Sequence, residues 1–307
     1  MIRCLPLACA ALLLLALPAG AHAPPPYRLY AGDGRPVTLD AVATAAWGAE
    51  ALFLGEQHDD PAAHALEADL LAAVIAARPE AGEAAGRGLR PLALSLEMFE
   101  RDVQLPLDEY LAGQVREKDF LAAARPWKAY ATDYRPLVEL ARASRLPVIA
   151  ANAPHRYVTR VGREGLAGLA GLSGEARGLL APLPLPSPGA GYAQRFAAFA
   201  AGAPAPSAAG GHANAAGAMF EAQWLRDATM AEAVARHLRA RPGGLVVHVC
   251  GAFHSEGRQG TPEALAALRP ETRMLVLTIA RDAAYPAFAQ ALGGKGDFVA
   301  VTPDGPR

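Results

Sequence analysis

Carboxylate and imidazole side chains follow several apolar runs of the sequence, close to the points where those runs end. The most prominent of them are Glu56, His58, Glu97 and His254. Imidazoles together with carboxylates can hold a divalent metal ion. They can also act as general acid and base, with the carboxylate orienting the histidine. The residue types therefore predict a site of chemistry, while the spacing alone leaves both uses open.

Five apolar runs are typical of strands that are covered on both faces, because their apolarity is continuous rather than alternating. They are residues 51–55, 92–98, 147–153, 245–251 and 273–280. Helical patterns over 61–77, 134–145 and 218–240 lie between them. This alternation predicts an α/β fold with a mainly parallel central sheet flanked by helices. Two stretches break the alternation, about 99–132 and 154–217, and we expect helical insertions there, over the C-terminal rim of the sheet.

Ligands of open parallel sheets bind beyond the carboxyl ends of the strands, which is where the charged residues fall. His64, eight residues after Glu56, is either a further ligand or an idle histidine in the first turn of a helix. We expect Asp60 to cap that helix and Pro61 to begin it. Glu97 ends an apolar strand, where a carboxylate is costly unless it is paired, so it belongs either to the site or to an ion pair. His248 lies inside a strand and is predicted to be a core histidine.

Aromatic and basic residues in the segment "WKAYATDYRPL" (127–137) could line the site. Trp127, Tyr134 and Arg135 would suit a flat apolar ligand, or they could simply pack together. Gln223 and Asp227 share one face of the long helical pattern four residues apart. For that pair we favour a solvated helix face.

The composition and the N-terminal segment limit the classes to which the protein could belong. The 307 residues carry a net charge of −1, which gives no basis for nucleic-acid binding. Residues 1–23 have an early cation, an apolar run and an Ala-x-Ala end, as in a cleaved signal peptide. Cleavage would leave a single domain, 24–307, in the periplasm or outside the cell, with a lipoprotein anchor as the less favoured alternative. Cys250 would then be the only thiol, predicted to be buried and inert.

Long stretches of the chain resemble the ChaN family of haem-binding, iron-regulated proteins, within a wider group that includes erythromycin esterase-like and Tiki/TraB-like proteins. The matching segments are residues 52–64, 94–113, 133–154, 221–238 and 251–266. They are long, occur in a fixed order and extend over about 45–280. The resemblance implies an α/β domain that handles haem or iron outside the cytoplasm.

The resemblance also implies roles for individual residues. In the family, tyrosine and histidine hold haem iron, and two chains share the site. Residues of this chain that fall in the corresponding motifs, or beside them, are His58, His64, His254, Tyr134, Arg135 and His155. The wider group implies instead a hydrolytic site of Glu56, His58, Glu97 and His254, or a divalent metal on Glu56, His58 and His254.

Two functions are therefore predicted for the same rim. The first is an extracytoplasmic protein that binds haem or a related iron porphyrin, as a homodimer and in contact with outer-membrane uptake machinery. The alternative is a metal-dependent or Glu/His acid–base hydrolase of the esterase or protease type. Of the two, the binding protein is favoured.

Overall fold

A seven-stranded sheet organises the chain in a computed structural model, which describes residues 25–80, 88–202 and 215–305. The strands are β1 (Arg28–Ala31), β2 (Ala51–Glu56), β3 (Leu92–Glu100), β4 (Val148–Asn152), β5 (Leu245–Gly251), β6 (Met274–Asp282) and β7 (Phe298–Pro303). Their order across the sheet is β1-β7-β6-β2-β5-β3-β4. All neighbours are parallel except β1 and β7, which pair antiparallel. The predicted α/β fold with a mainly parallel sheet is confirmed.

Helices cover both faces of this sheet. They are α1 (Leu39–Ala46), α2 (Pro61–Ala76), α3 (Gln104–Leu111), α4 (Glu117–Ala124), α5 (Tyr130–Asp133), α6 (Arg135–Ala143), α7 (His155–Glu164), α8 (Gly174–Gly178), α9 (Ala190–Gly202), α10 (Ala215–Ala240) and α11 (Thr261–Leu268). Leu52 and Leu54 of β2 pack in one core with α1 to α6. Ala51 and Phe53 face the other core, which includes α10 and α11. Because β2 is buried on both sides, it has the continuous apolarity seen in its sequence.

The five predicted strands are all present, whereas β1 and β7 were not predicted. Both lie at one edge of the sheet, where β1 alternates between buried and half-buried positions. β1 has only four residues and no unbroken apolar run, whereas residues 298–301 of β7 have such a run and were overlooked. The described parts of the stretches 99–132 and 154–217 contain α3 to α5 and α7 to α9, joined by turns and loops, and α7 packs against α10.

The predicted signal peptide, residues 1–23, lies outside the described residues. Within the described part of the chain, no helix combines the length and apolarity needed to cross a membrane. Cys250 is a buried free thiol, as predicted.

His248 lies in the middle of the sheet, in register with Phe53 of β2 and Ser95 of β3. It is fully buried, and its Nδ1 lies 2.9 Å from Ser95 Oγ. Its Nε2 has no hydrogen-bond partner among the residues that the structure describes. Burial lowers the pKa of His248 to about 3, so the imidazole is neutral in the folded chain.

This buried histidine should make the fold sensitive to acid. Between pH 6.5 and about 3, His248 binds a proton in the unfolded chain but not in the folded one, so its contribution to stability is lost as pH falls. Between pH 6.5 and 5, we expect the unfolding free energy of the wild-type protein to fall by roughly 2 kcal/mol more than that of His248→Gln, at about 1.4 kcal/mol per pH unit. Urea unfolding of both proteins at the two pH values measures this; an equal loss in both would contradict it.

Candidate ligand-binding site

Glu56, the last residue of β2, is buried at the carboxyl end of the sheet and is surrounded by hydrogen-bond donors. Its Oε1 lies 2.6 Å from His58 Nδ1 and accepts a 2.7 Å hydrogen bond from the Tyr134 hydroxyl. Its Oε2 lies 3.0 Å from His64 Nδ1. Glu67 completes the group, with Oε2 3.4 Å from the same nitrogen of His64. We call these five residues the Glu56 cluster.

The start of α2 places His64 in this cluster. Asp60 Oδ1 accepts a 3.0 Å hydrogen bond from the Ala62 amide, and Pro61 is the first helical residue, so the predicted cap is confirmed. Asp60 Oδ2 also accepts a hydrogen bond from Thr302 of β7. The cap is thereby tied to the sheet, and the first turn of α2 directs His64 inward, where it is 7% exposed.

His58 differs from the rest of the Glu56 cluster because its ring reaches the surface. Its side chain is 45% exposed, while Nδ1 is held by Glu56. Among the described residues, no hydrogen-bond partner lies at its Nε2. Trp127 packs edge-on against the ring, with 4.9 Å between centroids. Gly251 lies beneath it, where a Cβ atom would come within 2.9 Å of His58 Cε1 and Nε2. The ring therefore depends on a glycine at that position.

The protonation of the Glu56 cluster follows from burial and from these contacts. Burial disfavours the Glu56 carboxylate, but hydrogen bonds from His58 and His64 outweigh it and lower the pKa of Glu56 to about 2. Burial disfavours both imidazolium ions, yet the carboxylates raise the pKa of His58 and bring that of His64 to about 10. Burial and the Glu56 charge raise the pKa of Tyr134 well above its usual value, so its phenol keeps its proton.

A second cluster lies beside the first and is built around Glu97 of β3. Glu97 Oε2 accepts a 2.8 Å hydrogen bond from the Gly251 amide, and its Oε1 lies 3.4 Å from His254 Nε2. The other ring nitrogen of His254, Nδ1, lies 2.8 Å from Asp227 Oδ1. Asp227 also accepts hydrogen bonds from Tyr192 and Thr261. We call these five side chains, Glu97, Asp227, His254, Tyr192 and Thr261, the Glu97 cluster.

His254 is held as a cation between two anions in the Glu97 cluster. Burial opposes its charge, but Glu97 and Asp227 raise the pKa of His254 to about 10. Burial likewise opposes ionisation of Glu97, and the His254 charge outweighs it, so the pKa of Glu97 falls well below its usual range. Both ring nitrogens of His254 are thus occupied by carboxylates, and the side chain is 8% exposed.

The structure places the predicted site residues at different depths. Glu56, His58, Glu97 and His254 meet at the carboxyl ends of β2, β3 and β5, while His64 and Tyr134 lie behind His58. Arg135 is exposed at the start of α6 and hydrogen-bonds to Glu117, with 3.0 Å between its second nitrogen and the carboxylate. His155 is exposed at the start of α7, with Nδ1 3.2 Å from Arg226 Nη2. Contact of any of these residues with a ligand stays a prediction.

Sequence reasoning missed three residues of the two clusters and misjudged a fourth. Glu67, Tyr192 and Thr261 were not considered as site residues. Asp227 was expected on a solvated face, and this was wrong because its side chain is fully buried. The available signal was the carboxylate on an apolar stripe: Glu67 shares its helix face with buried Leu70, Leu71 and Val74. A carboxylate at such a position indicates a buried partner.

Two arrangements within these clusters could take part in chemistry. His58 presents a carboxylate-oriented imidazole at the surface, which can ligate a metal centre or exchange a proton. Deeper in the rim, one ligand atom each from Glu56, His64 and Glu67 lies within 4.8 Å of the others, a spacing that could hold a metal ion.

Comparisons with known proteins place this fold and rim in a family. A search of curated proteins finds no match. The chain is similar in structure to ChaN of Campylobacter jejuni, described with cofacial haem binding, with a TM-score of 0.65 and 15% identity over 90% of this chain and 96% of that one. A mutant of the erythromycin esterase EreC in its open conformation gives a TM-score of 0.47 and 13% identity over 90% and 83% of the two chains. The type III effector HopBA1 gives 0.46 and 12% over 87% and 94%.

The family model described as "Haem-binding uptake, Tiki superfamily, ChaN" matches residues 42–265, which contain every member of both clusters. The match covers most of the chain and begins just before β2, the strand that carries Glu56. The chain therefore belongs to the ChaN family of haem-binding uptake proteins in the Tiki superfamily.

Proposed function

We propose that this protein binds haem or a related iron porphyrin outside the cytoplasm and takes part in its uptake or handling. Membership in a haem-binding family supports this function. The observation that carries it is His58: its Nδ1 is fixed by buried Glu56, its side chain is 45% exposed, and its Nε2 has no hydrogen-bond partner among the described residues.

The side chains around His58 fit a flat iron-containing ligand. Imidazole is a common axial ligand of haem iron, and a carboxylate on the opposite ring nitrogen orients it and raises its basicity. Trp127 stands beside the imidazole and supplies an aromatic wall. Because the carboxylates raise the pKa of His58, iron must compete with a proton for Nε2.

The other predicted site residues would act on this ligand either indirectly, through Glu56 or Glu97, or by direct contact at its edge. His64 and Tyr134 hold Glu56 and so act on His58 through that carboxylate. His254 would act through the charge of Glu97 beneath the rim. Arg135 and His155 are exposed and would bind carboxylate groups at the edge of a porphyrin by exchanging their present partners, Glu117 and Arg226.

Localisation and partners extend the proposal. The predicted leader 1–23 would send the mature chain out of the cytoplasm, and uptake would require contact with outer-membrane machinery. A homodimer would place two copies of the rim around bound haem. Sedimentation of the purified protein with and without hemin tests the dimer.

The hydrolase is the second candidate, because the same rim holds two carboxylate–histidine pairs, Glu56–His58 and Glu97–His254. In that case His58 would accept a proton from water while Glu56 stabilised the imidazolium. Ester and amide hydrolysis by the freshly purified protein, with and without divalent metal, tests this alternative directly.

Replacing His58 should weaken haem binding without unfolding the chain, because the side chain is half exposed and Glu56 keeps His64 and Tyr134 as partners. We expect hemin added to the wild-type protein to give a shifted Soret band at about one equivalent per chain. His58→Ala should lower the affinity by tenfold or more, which is about 1.4 kcal/mol. Absorbance titration measures both quantities.

His237→Ala is the matched control, because His237 is a partly buried histidine on α10 and belongs to neither cluster. It should leave the Soret titration unchanged. Absence of any Soret shift in the wild-type protein would contradict the proposed function. Equal affinities for wild type and His58→Ala would contradict the role of His58.

Gly251 gives an independent test of the position of the ring. A methyl group at this residue would lie 2.9 Å from His58 Cε1 and Nε2, so the imidazole would have to move. We expect Gly251→Ala to bind hemin several-fold more weakly than wild type. Gly171→Ala is the control, because a Cβ there meets no atom within 4 Å. Identical hemin binding by Gly251→Ala and Gly171→Ala would refute the dependence on ring position.

A further inference from the structure

Two glutamates are buried side by side beneath His58. Glu56 is 1% exposed and Glu67 is fully buried. Among the described residues, Oε1 of Glu67 has no hydrogen-bond partner, and Oε2 of Glu56 lies 3.0 Å from His64 Nδ1. A buried carboxylate oxygen without a partner costs free energy, and two neighbouring carboxylates also repel each other. This arrangement requires a positive charge or a proton between them, which the His64 imidazolium supplies until an ion takes its place.

The geometry around His64 suits a metal ion. His64 Nδ1 lies 3.0 Å from Glu56 Oε2 and 3.4 Å from Glu67 Oε2. One ligand atom from each of the three residues lies within 4.8 Å of the other two. Nitrogen and oxygen ligands of a tetrahedral ion at about 2.1 Å are themselves about 3.4 Å apart. The three side chains are therefore spaced as ligands of one ion would be.

The neighbours of these side chains are placed as outer contacts of a metal site. His64 Nε2 lies 3.3 Å from the His58 carbonyl oxygen and 3.5 Å from Asp133 Oδ2. Both are acceptors, so they can keep the proton on Nε2 when Nδ1 gives up its own proton and presents its lone pair to an ion. The Tyr134 hydroxyl donates to Glu56 Oε1, which orients the carboxylate in the same way. Ligating residues typically have such partners.

We propose that Glu56, His64 and Glu67 form a buried site for one divalent cation, of the class that accepts mixed carboxylate and imidazole ligands, such as Zn²⁺ or Mn²⁺. This site differs from the predicted grouping of Glu56 with His58 and His254. It lies behind the exposed ring of His58 and does not require haem. The ion neutralises the two carboxylates and fixes the position of Glu56, which in turn orients His58.

Metal binding by the purified protein, treated with a chelator and lacking an oligohistidine tag, tests this site. We expect calorimetric titration to show about one Zn²⁺ or Mn²⁺ bound per chain. Glu67→Gln should lower that affinity at least tenfold, because it removes one anionic ligand while keeping the size of the side chain. Glu50→Gln is the matched control, since Glu50 is also buried but pairs with Arg269 and lies outside the cluster.

Thermal unfolding gives a second readout. Added Zn²⁺ should raise the melting temperature of wild type and Glu50→Gln but not that of Glu67→Gln. Should Glu67→Gln fail to fold, anomalous diffraction from crystals of the wild-type protein soaked in Zn²⁺ locates the ion, which we expect between Glu56, His64 and Glu67. The hemin titration is separate, so loss of one kind of binding does not imply loss of the other.

Any one of the following results would overturn the proposal. One is that the wild-type protein binds neither Zn²⁺ nor Mn²⁺, and another is that Glu67→Gln binds them as tightly as wild type. A third is an anomalous peak between His58 and His254. Unchanged or higher stability of Glu67→Gln without any metal dependence would assign a shared proton, rather than a cation, to the two carboxylates.

Discussion

The buried charge of Glu56 is the constraint on which the rim depends. An ionised carboxylate at the end of a central strand is costly unless its oxygens are hydrogen-bonded or paired. Its partners come from three places: His58 from the loop after β2, His64 from α2, and Tyr134 from the start of α6. One carboxylate therefore fixes the relative positions of a strand, a loop and two helices.

The second strand-end carboxylate extends this network to the other side of β5. Glu97 accepts a hydrogen bond from the Gly251 amide and pairs with His254, which in turn pairs with Asp227 of α10. Anions and cations thus alternate across the rim, and each buried charge has a neighbour of opposite sign. Such pairing confers little net stability, but removal of one member leaves an uncompensated charge. The helices α10 and α11 are consequently linked to the carboxyl ends of the central strands, as α2 and α6 are.

Much of this arrangement could be predicted from local sequence. The central strands have unbroken apolar runs, and Asp60 followed by Pro61 marks the start of α2. The strand-end rule then brings Glu56, His58, Glu97 and His254 together without knowledge of any contact. The partners of these residues could not be predicted in the same way. Asp227 and Tyr192 meet only because α9 folds against α10, and a buried aspartate on a helix has the same local pattern as a solvated one.

The depth of each group decides what the rim can do. General acid–base hydrolysis needs two functional groups that face the same open space. Both nitrogens of His254 are occupied by Glu97 and Asp227, and Glu97 itself is bound to the Gly251 amide. Among the four residues Glu56, His58, Glu97 and His254, only His58 is half exposed, and its ring is held by Glu56 next to Trp127. This geometry suits the proposed capture of a planar iron-containing molecule better than hydrolysis, which would require the Glu97 cluster to open.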